Sequence, residues 1–196
     1  MSEIFTIRKN SEGIYKEKGS KFISYLYPIK SEDDVKYCLS KLKEEHSKAR
    51  HHCYAFRLGA KGDLERANDD GEPNGSAGLP ILNQLHSAKL TNVLLVVVRY
   101  FGGTKLGLGG LVRAYKESSK DAIENSKLHL FEELSTIILE FPIHIVGDVE
   151  RIVRSENCAI VKSDYSEICQ FEISCKTKDV ESIKKVFGNF RKINII

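Results

Sequence analysis

An α+β protein of two consecutive units is what the sequence predicts, and three observations carry that reading. Twelve of the 14 glycines lie at or before Gly110, with only Gly147 and Gly188 after it, so the backbone demands of the two ends differ. The run VLLVVVRYF (93–101) is almost continuously apolar and β-branched, the pattern of a strand buried on both faces. Beyond residue 135 the strand and helix periods follow the order β-α-β-β-α-β, a split βαβ or ferredoxin-like arrangement. The predicted boundary lies near KLHLFEEL (127–134), giving units of 1–130 and 135–196.

In the first unit, FISYLYPI (22–29) reads as a strand that ends near Pro28, since proline cannot donate to a ladder. Ser31 with Asp34 then forms a capping-box variant, and Val35, Leu39 and Leu42 keep helical spacing after it. HHCYAFRL (51–58) is the next strand, and Gly59 to Gly78 is polar and turn-rich. LPILNQLHSAK (79–89) opens a helix close to Pro80, where a missing N–H costs little. After the buried strand comes a glycine loop, then a helix from about Gly109 to Asn125. In the second unit TIILEFPI is a strand and VGDVERIVRSEN a helix, CAIVKSDY and EICQFEISC form a hairpin, KDVESIKKVFGNF is a helix and KINII the last strand.

Composition narrows the function classes. With 41% hydrophobic and 29% charged residues over 196 positions, the chain is an ordinary globular one, not a disordered or fibrous one. The start, MSEIFTIRKN, carries charges where a signal peptide needs an apolar core, and no apolar run reaches about 20 residues; these features point to the cytosol and away from a membrane. Cys38, Cys53, Cys158, Cys169 and Cys175 include no C-x-x-C pair, which argues for reduced, packed thiols. Net charge is only +3, but it is unevenly spread. Residues 131–196 hold 9 Lys/Arg against 11 Asp/Glu, leaving 21 basic and 16 acidic residues in 1–130. A phosphate-bearing partner is expected to prefer the first unit.

The chemistry concentrates in two loops. VVVRYFGGTKLGLGGLVRAY (96–115) has five glycines, three basic residues and no acid. A buried strand that enters a helix through such a loop turns backbone N–H groups toward a ligand, so Arg99, Gly102, Gly103, Lys105, Gly109, Gly110 and Arg113 form a candidate anion or nucleic-acid site. Tight helix–sheet packing would also require glycines. There is neither a Walker loop nor a G-x-G-x-x-G fingerprint. In ERANDDGEPNGSAG (65–78), Asp69, Asp70 and Glu72 lie beside Ser76. Carboxylates this close can hold a hard cation such as magnesium or tune one another for acid–base work; they can equally cap turns. No other metal or cofactor is expected, and Ser76 lacks the spacing of a nucleophile elbow. His51 and His52 are adjacent in a strand and point to opposite faces, so they do not share an ion. His52 and Tyr54 share one face, as a packed pair or a minor part of a site.

Three segments carry a family resemblance. They are Ala49-Arg50-His51-His52-Cys53-Tyr54-Ala55, Asp69-Asp70-Gly71-Glu72-Pro73 through Gly78-Leu79-Pro80-Ile81-Leu82, and Val98-Arg99-Tyr100-Phe101-Gly102-Gly103 through Gly109-Gly110-Leu111-Val112-Arg113-Ala114-Tyr115. Taken in order, they resemble the signature of the YigZ/IMPACT family over about residues 18–125, and 135–196 looks like the small C-terminal domain of its bacterial members. Asn68 and Asn74 stand where serine is expected, and Ser76 where threonine is. The resemblance implies a ribosomal-protein-type βαβ first domain and a second domain like the last of elongation factor G. It also implies a role near translation. The eukaryotic relative is a translational regulator that competes for an activator of a stress kinase, and bacterial members are described as nucleic-acid- or translation-associated.

Three functions follow as expectations. The first is a binding protein for RNA or a ribosome or translation-factor partner, acting through Arg99, Lys105 and Arg113. The second is a magnesium-dependent enzyme in which the same loop holds a phosphorylated small molecule and Asp69, Asp70 and Glu72 hold the metal. The third is a protein–protein adaptor with Tyr100, Phe101 and Tyr115 as anchors.

Overall fold

The computed structural model describes residues 3–60 and 62–196. The chain divides into two units, Met1–Phe131 and Glu132–Ile196, each with a core of its own.

In the first unit the strands β1 (Phe5–Ile7), β2 (Ser11–Glu17) and β3 (Ser20–Pro28) lead into helix α1 (Glu32–Glu45). Strands β4 (His51–Leu58) and β5 (Leu64–Asn68), helix α2 (Gly78–Ser87), strand β6 (Val93–Tyr100), helix α3 (Gly107–Glu124) and strand β7 (Leu128–Leu130) follow. The main sheet has the order β2-β3-β6-β4-β5 and is antiparallel at every pairing. Because β3 and β4 both run against β6, they are parallel to each other, and α1 crosses between them over the intervening strand. This is a split βαβ unit.

The sheet is covered on both faces, and β6 shows why its sequence is apolar throughout: Val93 to Val98 are each wholly buried. Val93, Leu95 and Val97 pack with α2 and α3 through Ile81, Leu85, Ala114 and Tyr115. Leu94, Val96 and Val98 face α1 through Val35 and Leu42. The capping box opens α1 as its sequence predicts: Ser31 Oγ accepts from Asp34 N at 3.3 Å, and Asp34 Oδ2 accepts from Ser31 N at 3.0 Å. Four strands lie outside the periodic segments, among them β2, which pairs along β3. β1 and β7 form their own two-stranded sheet, Phe5 opposite Leu130, and β5 occupies part of the turn-rich stretch with every residue exposed.

The second unit contains β8 (Leu134–Pro142), α4 (Val146–Ser155), β9 (Ala159–Asp164), β10 (Ile168–Lys176), α5 (Val180–Gly188) and β11 (Asn194–Ile195). Its antiparallel sheet has the order β11-β8-β10-β9, the ferredoxin-like one. A single core joins Ile137, Leu139, Phe141, Phe171 and Ile173 of the sheet to Val149, Ile152, Ile183 and Phe187 of the helices. All five cysteines are free thiols, and no helix among the described residues is long and apolar enough to cross a membrane.

Separate cores lead us to expect that the units fold independently. Limited proteolysis is expected to cut between Phe131 and Leu134 and to yield two fragments that each unfold cooperatively. A chain resistant there, with neither fragment able to fold, is the opposing result.

Candidate anion-binding cleft

The register of the central strands builds the site. His51, the first residue of β4, pairs with Arg99, near the end of β6, so the segment entering β4 meets the glycine loop leaving β6. Between them opens a cleft of about 920 Å³ lined by Lys48, Arg50 and His51 on one side and Phe101, Lys105 and Leu108 on the other. Lys48, Arg50 and Lys105 are exposed, and among the described residues none of the three forms an ion pair. Phe101 is 57% and Leu108 60% exposed, so both offer apolar surface to the cleft. The first turn of α3 also borders the cleft. It carries no acidic residue and no side chain caps it, so its free N–H groups and the positive end of the helix dipole favour an anion there.

The three cations expected to converge do not all do so. Lys105 faces the cleft, but Arg99 is buried, and its Nη1 donates to Glu72 Oε1 at 2.5 Å. The same oxygen accepts from Tyr115 Oη at 2.8 Å. The Arg99 guanidinium lies 5.6 Å from the ring centres of both Phe22 and Phe101, so Arg99 lines the cleft as an ion-paired strut in its floor. Arg113 projects from α3 to an ion pair with Glu17 at the end of β2 and does not line the cleft. The segment 93–115 contains no acid, yet the fold supplies one carboxylate to each arginine from elsewhere in the chain. Tyr115 is wholly buried, so it cannot serve as an adaptor's contact anchor.

The glycines serve packing as well as the loop. A Cβ on Gly102 would lie 1.9 Å from the carbonyl carbon of Gly19, in the turn between β2 and β3. Gly103, at φ +89°, lies in the left-handed region that favours glycine. Gly109 has open space where a Cβ would stand, and Gly110 abuts Leu106 within the first helical turns.

In the acidic loop each named side chain already has protein partners. Asp69 Oδ1 accepts from the N–H of Ala77 at 2.9 Å and of Gly78 at 2.8 Å, and Oδ2 from that of Gly75 at 2.9 Å. Burial alone would raise its pKa, but these three donors outweigh it and hold the carboxyl below the usual range. Asp70, at φ +40°, accepts from His52 N at 2.7 Å through Oδ2, while its carbonyl pairs with His51 Nδ1 at 2.9 Å. Ser76 Oγ donates to Pro73 O at 2.6 Å. Among the described residues no three His, Cys, Asp or Glu side chains are grouped to hold a metal ion. The loop thus caps α2 and clamps the start of β4. His52 is buried, and that burial lowers its pKa; its Nε2 has no hydrogen-bond partner among the described residues. Tyr54 is half-buried and packs on the α1-side core.

Sequence reasoning passed over Lys48 and Arg50, although an antiparallel pairing of the two predicted strands would have brought the start of one to the end of the other. It also passed over His46, whose ring nitrogens lie 2.7 Å from Tyr25 Oη and 2.9 Å from Tyr100 Oη. That bridge ties the end of α1 to the last residue of β6. Burial pushes the Tyr25 hydroxyl up to about 12, so that hydroxyl serves the bridge uncharged.

Comparison with known proteins gives these residues a family. The sequence family described as the Impact N-terminal domain matches residues 18–123. IMPACT family member YvyE of Bacillus subtilis is 31% identical over 181 residues, 92% of this chain and 83% of that protein. IMPACT family member YigZ of Escherichia coli is 31% identical over 177 residues, 89% of this chain and 87% of the relative. The crystal structure of a hypothetical protein superposes with a TM-score of 0.76 at 28% identity, covering 100% of this chain and 97% of its own. With the family match spanning four strands of the main sheet, the glycine loop and the acidic loop together, the chain belongs to the IMPACT family.

Proposed function

We propose that the protein binds single-stranded RNA through this cleft and acts on translation as an RNA- or ribosome-associated factor in the cytoplasm. The carrying observation is the convergence of Lys48, Arg50 and Lys105, none of them ion-paired among the described residues, around the exposed ring of Phe101. Cations that neutralise phosphates, set beside an open aromatic face on which a base can stack, are the recurring parts of sequence-tolerant single-strand binding. Glu72, the acid in the lining, is occupied by Arg99 and Tyr115 and does not oppose an incoming phosphate. Membership of the family supports a setting in translation.

Titrating a labelled oligoribonucleotide across a salt series tests the reading. Lys105→Ala and Arg50→Ala are each expected to lower the slope of log affinity against log salt by about 0.7. Phe101→Ala should cost about 1–3 kcal/mol of affinity with the slope unchanged. Arg113→Ala should leave both quantities at the wild-type value. Wild-type binding by the Lys105 and Arg50 variants, with melting temperatures intact, would sink the proposal. Turnover of a phosphorylated metabolite by a protein that ignores RNA would put the enzyme in its place.

A further inference from the structure

A second basic concavity lies at the other end of the same sheet. The β3–β6 register runs from Lys21 opposite Tyr100 to Pro28 opposite Val93. The loop entering β2 and the segment leaving β3 therefore sit at the pole opposite the cleft. An eight-residue strand separates the two poles by about 26 Å at ~3.3 Å per residue. One hollow there, of about 420 Å³, is lined by Arg8, Lys9 and Lys127. Its neighbour, of about 440 Å³, is lined by Lys30, Lys41 and Tyr37. Asn10 lines both, so the hollows adjoin across the loop that enters β2, one beside α1 and the other beside the end of α3; together they make a basic groove around the sheet edge.

The charge of this groove is mostly positive, five cations against the single carboxylate of Asp34. All five cations are exposed, and among the described residues none forms an ion pair. Asp34, the carboxylate in the lining, already accepts from the N–H of Lys30 at 2.7 Å and of Ser31 at 3.0 Å. Like charges in such excess repel, a cost that a polyanion relieves. Tyr37 is 69% exposed on α1 and offers an open ring face beside the lysines. Cations next to an open aromatic face suit alternating phosphates and bases better than they suit an acidic peptide, which supplies charge without a base to stack.

We propose that this groove is a second contact track for single-stranded RNA, so that one strand long enough to pass around the sheet engages the cleft and the groove together. The choice of RNA as ligand rests on the function proposed for the cleft; the groove itself does not. Two engaged sites act as linked ones, and the second contact is made at high effective concentration.

The test uses the full chain with oligoribonucleotides of about 5 and about 25 nucleotides. The wild type should bind two short strands, and the long strand should bind at least about tenfold more tightly than the short. The triple variant Arg8→Ala, Lys9→Ala, Lys127→Ala should bind one short strand, lose that tenfold gain and show a long-strand salt slope lower by about 2. Tyr37→Ala should weaken long-strand binding with the slope unchanged. Exposed basic side chains contribute little to stability, so unchanged melting is expected in all variants. Wild-type long-strand affinity and slope in the triple variant overturn the proposal. So does loss of poly-glutamate binding in that variant with RNA binding untouched, which would make the groove a site for acidic peptides. If instead the Lys105 and Arg50 variants bind RNA normally and the triple variant does not, the cleft assignment fails and the groove stands.

Discussion

Glu72→Ala is expected to destabilise the first unit by about 3–5 kcal/mol, read as a fall in the midpoint of urea denaturation. Glu72 is 9% exposed and its Oε1 holds both Arg99 at 2.5 Å and Tyr115 at 2.8 Å. Removing the carboxylate leaves the guanidinium buried without a charged partner and the Tyr115 hydroxyl with only the weak Cys53 thiol, 3.2 Å away. Desolvation of the unpaired charge dominates that cost, because the aromatic faces of Phe22 and Phe101 replace little of its lost hydration. The companion variant Glu72→Ala with Arg99→Met removes the charge as well and is expected to recover most of the loss, since an apolar side chain tolerates the site. A loss under about 1 kcal/mol in the single variant would mean that Arg99 swings out into the cleft; tighter RNA binding would then accompany it.

Gly102→Ala is expected to cost about 3 kcal/mol or more, at the upper end for inserting a carbon into packed structure. The added Cβ would stand 1.9 Å from Gly19 C and 2.2 Å from both Gly19 O and Ser20 N. These are backbone atoms at the turn between two strands, so no rotamer change relieves the clash. Separation of the two segments would also break the bond from Gly102 N to Ser20 Oγ, 3.1 Å long. It would shift the loop that carries Lys105, so weaker RNA binding should accompany lower stability. Gly109→Ala is the control: its Cβ meets open space in a helix where alanine is favoured over glycine by about 1 kcal/mol. Equal losses from the two substitutions would show that the loop, and not its contact with Gly19, sets the cost.

These outcomes depend on pairings that no local pattern announces. Sequence reasoning places β3, β4 and β6 within a residue or two because alternation and β-branched runs are local signals, and the Ser31–Asp34 cap is likewise written within four positions. β1 and β7 escape it because three residues show no period and their partners lie more than a hundred positions apart. β2 is hidden by Gly13 and its flanking charges, which lower strand propensity. That glycine is required by tertiary packing: a Cβ there would lie 2.3 Å from Ala122 N of α3.

Composition, local periodicity and contiguous motifs are enough to specify the family, the α+β class, the order of the second unit and the excess of basic charge in the first. Which of those charges are available is settled in three dimensions alone. Arg99 and Arg113 are spaced like ligands along the chain, yet Glu72 and Glu17, 27 and 96 positions away, neutralise them. Lys48 and Arg50 reach Lys105 only because β4 lies against β6. Ion pairing depends on distances of a few ångströms in space, whereas sequence patterns report neighbours along the chain. The cations that remain free for a ligand are therefore a property of the fold.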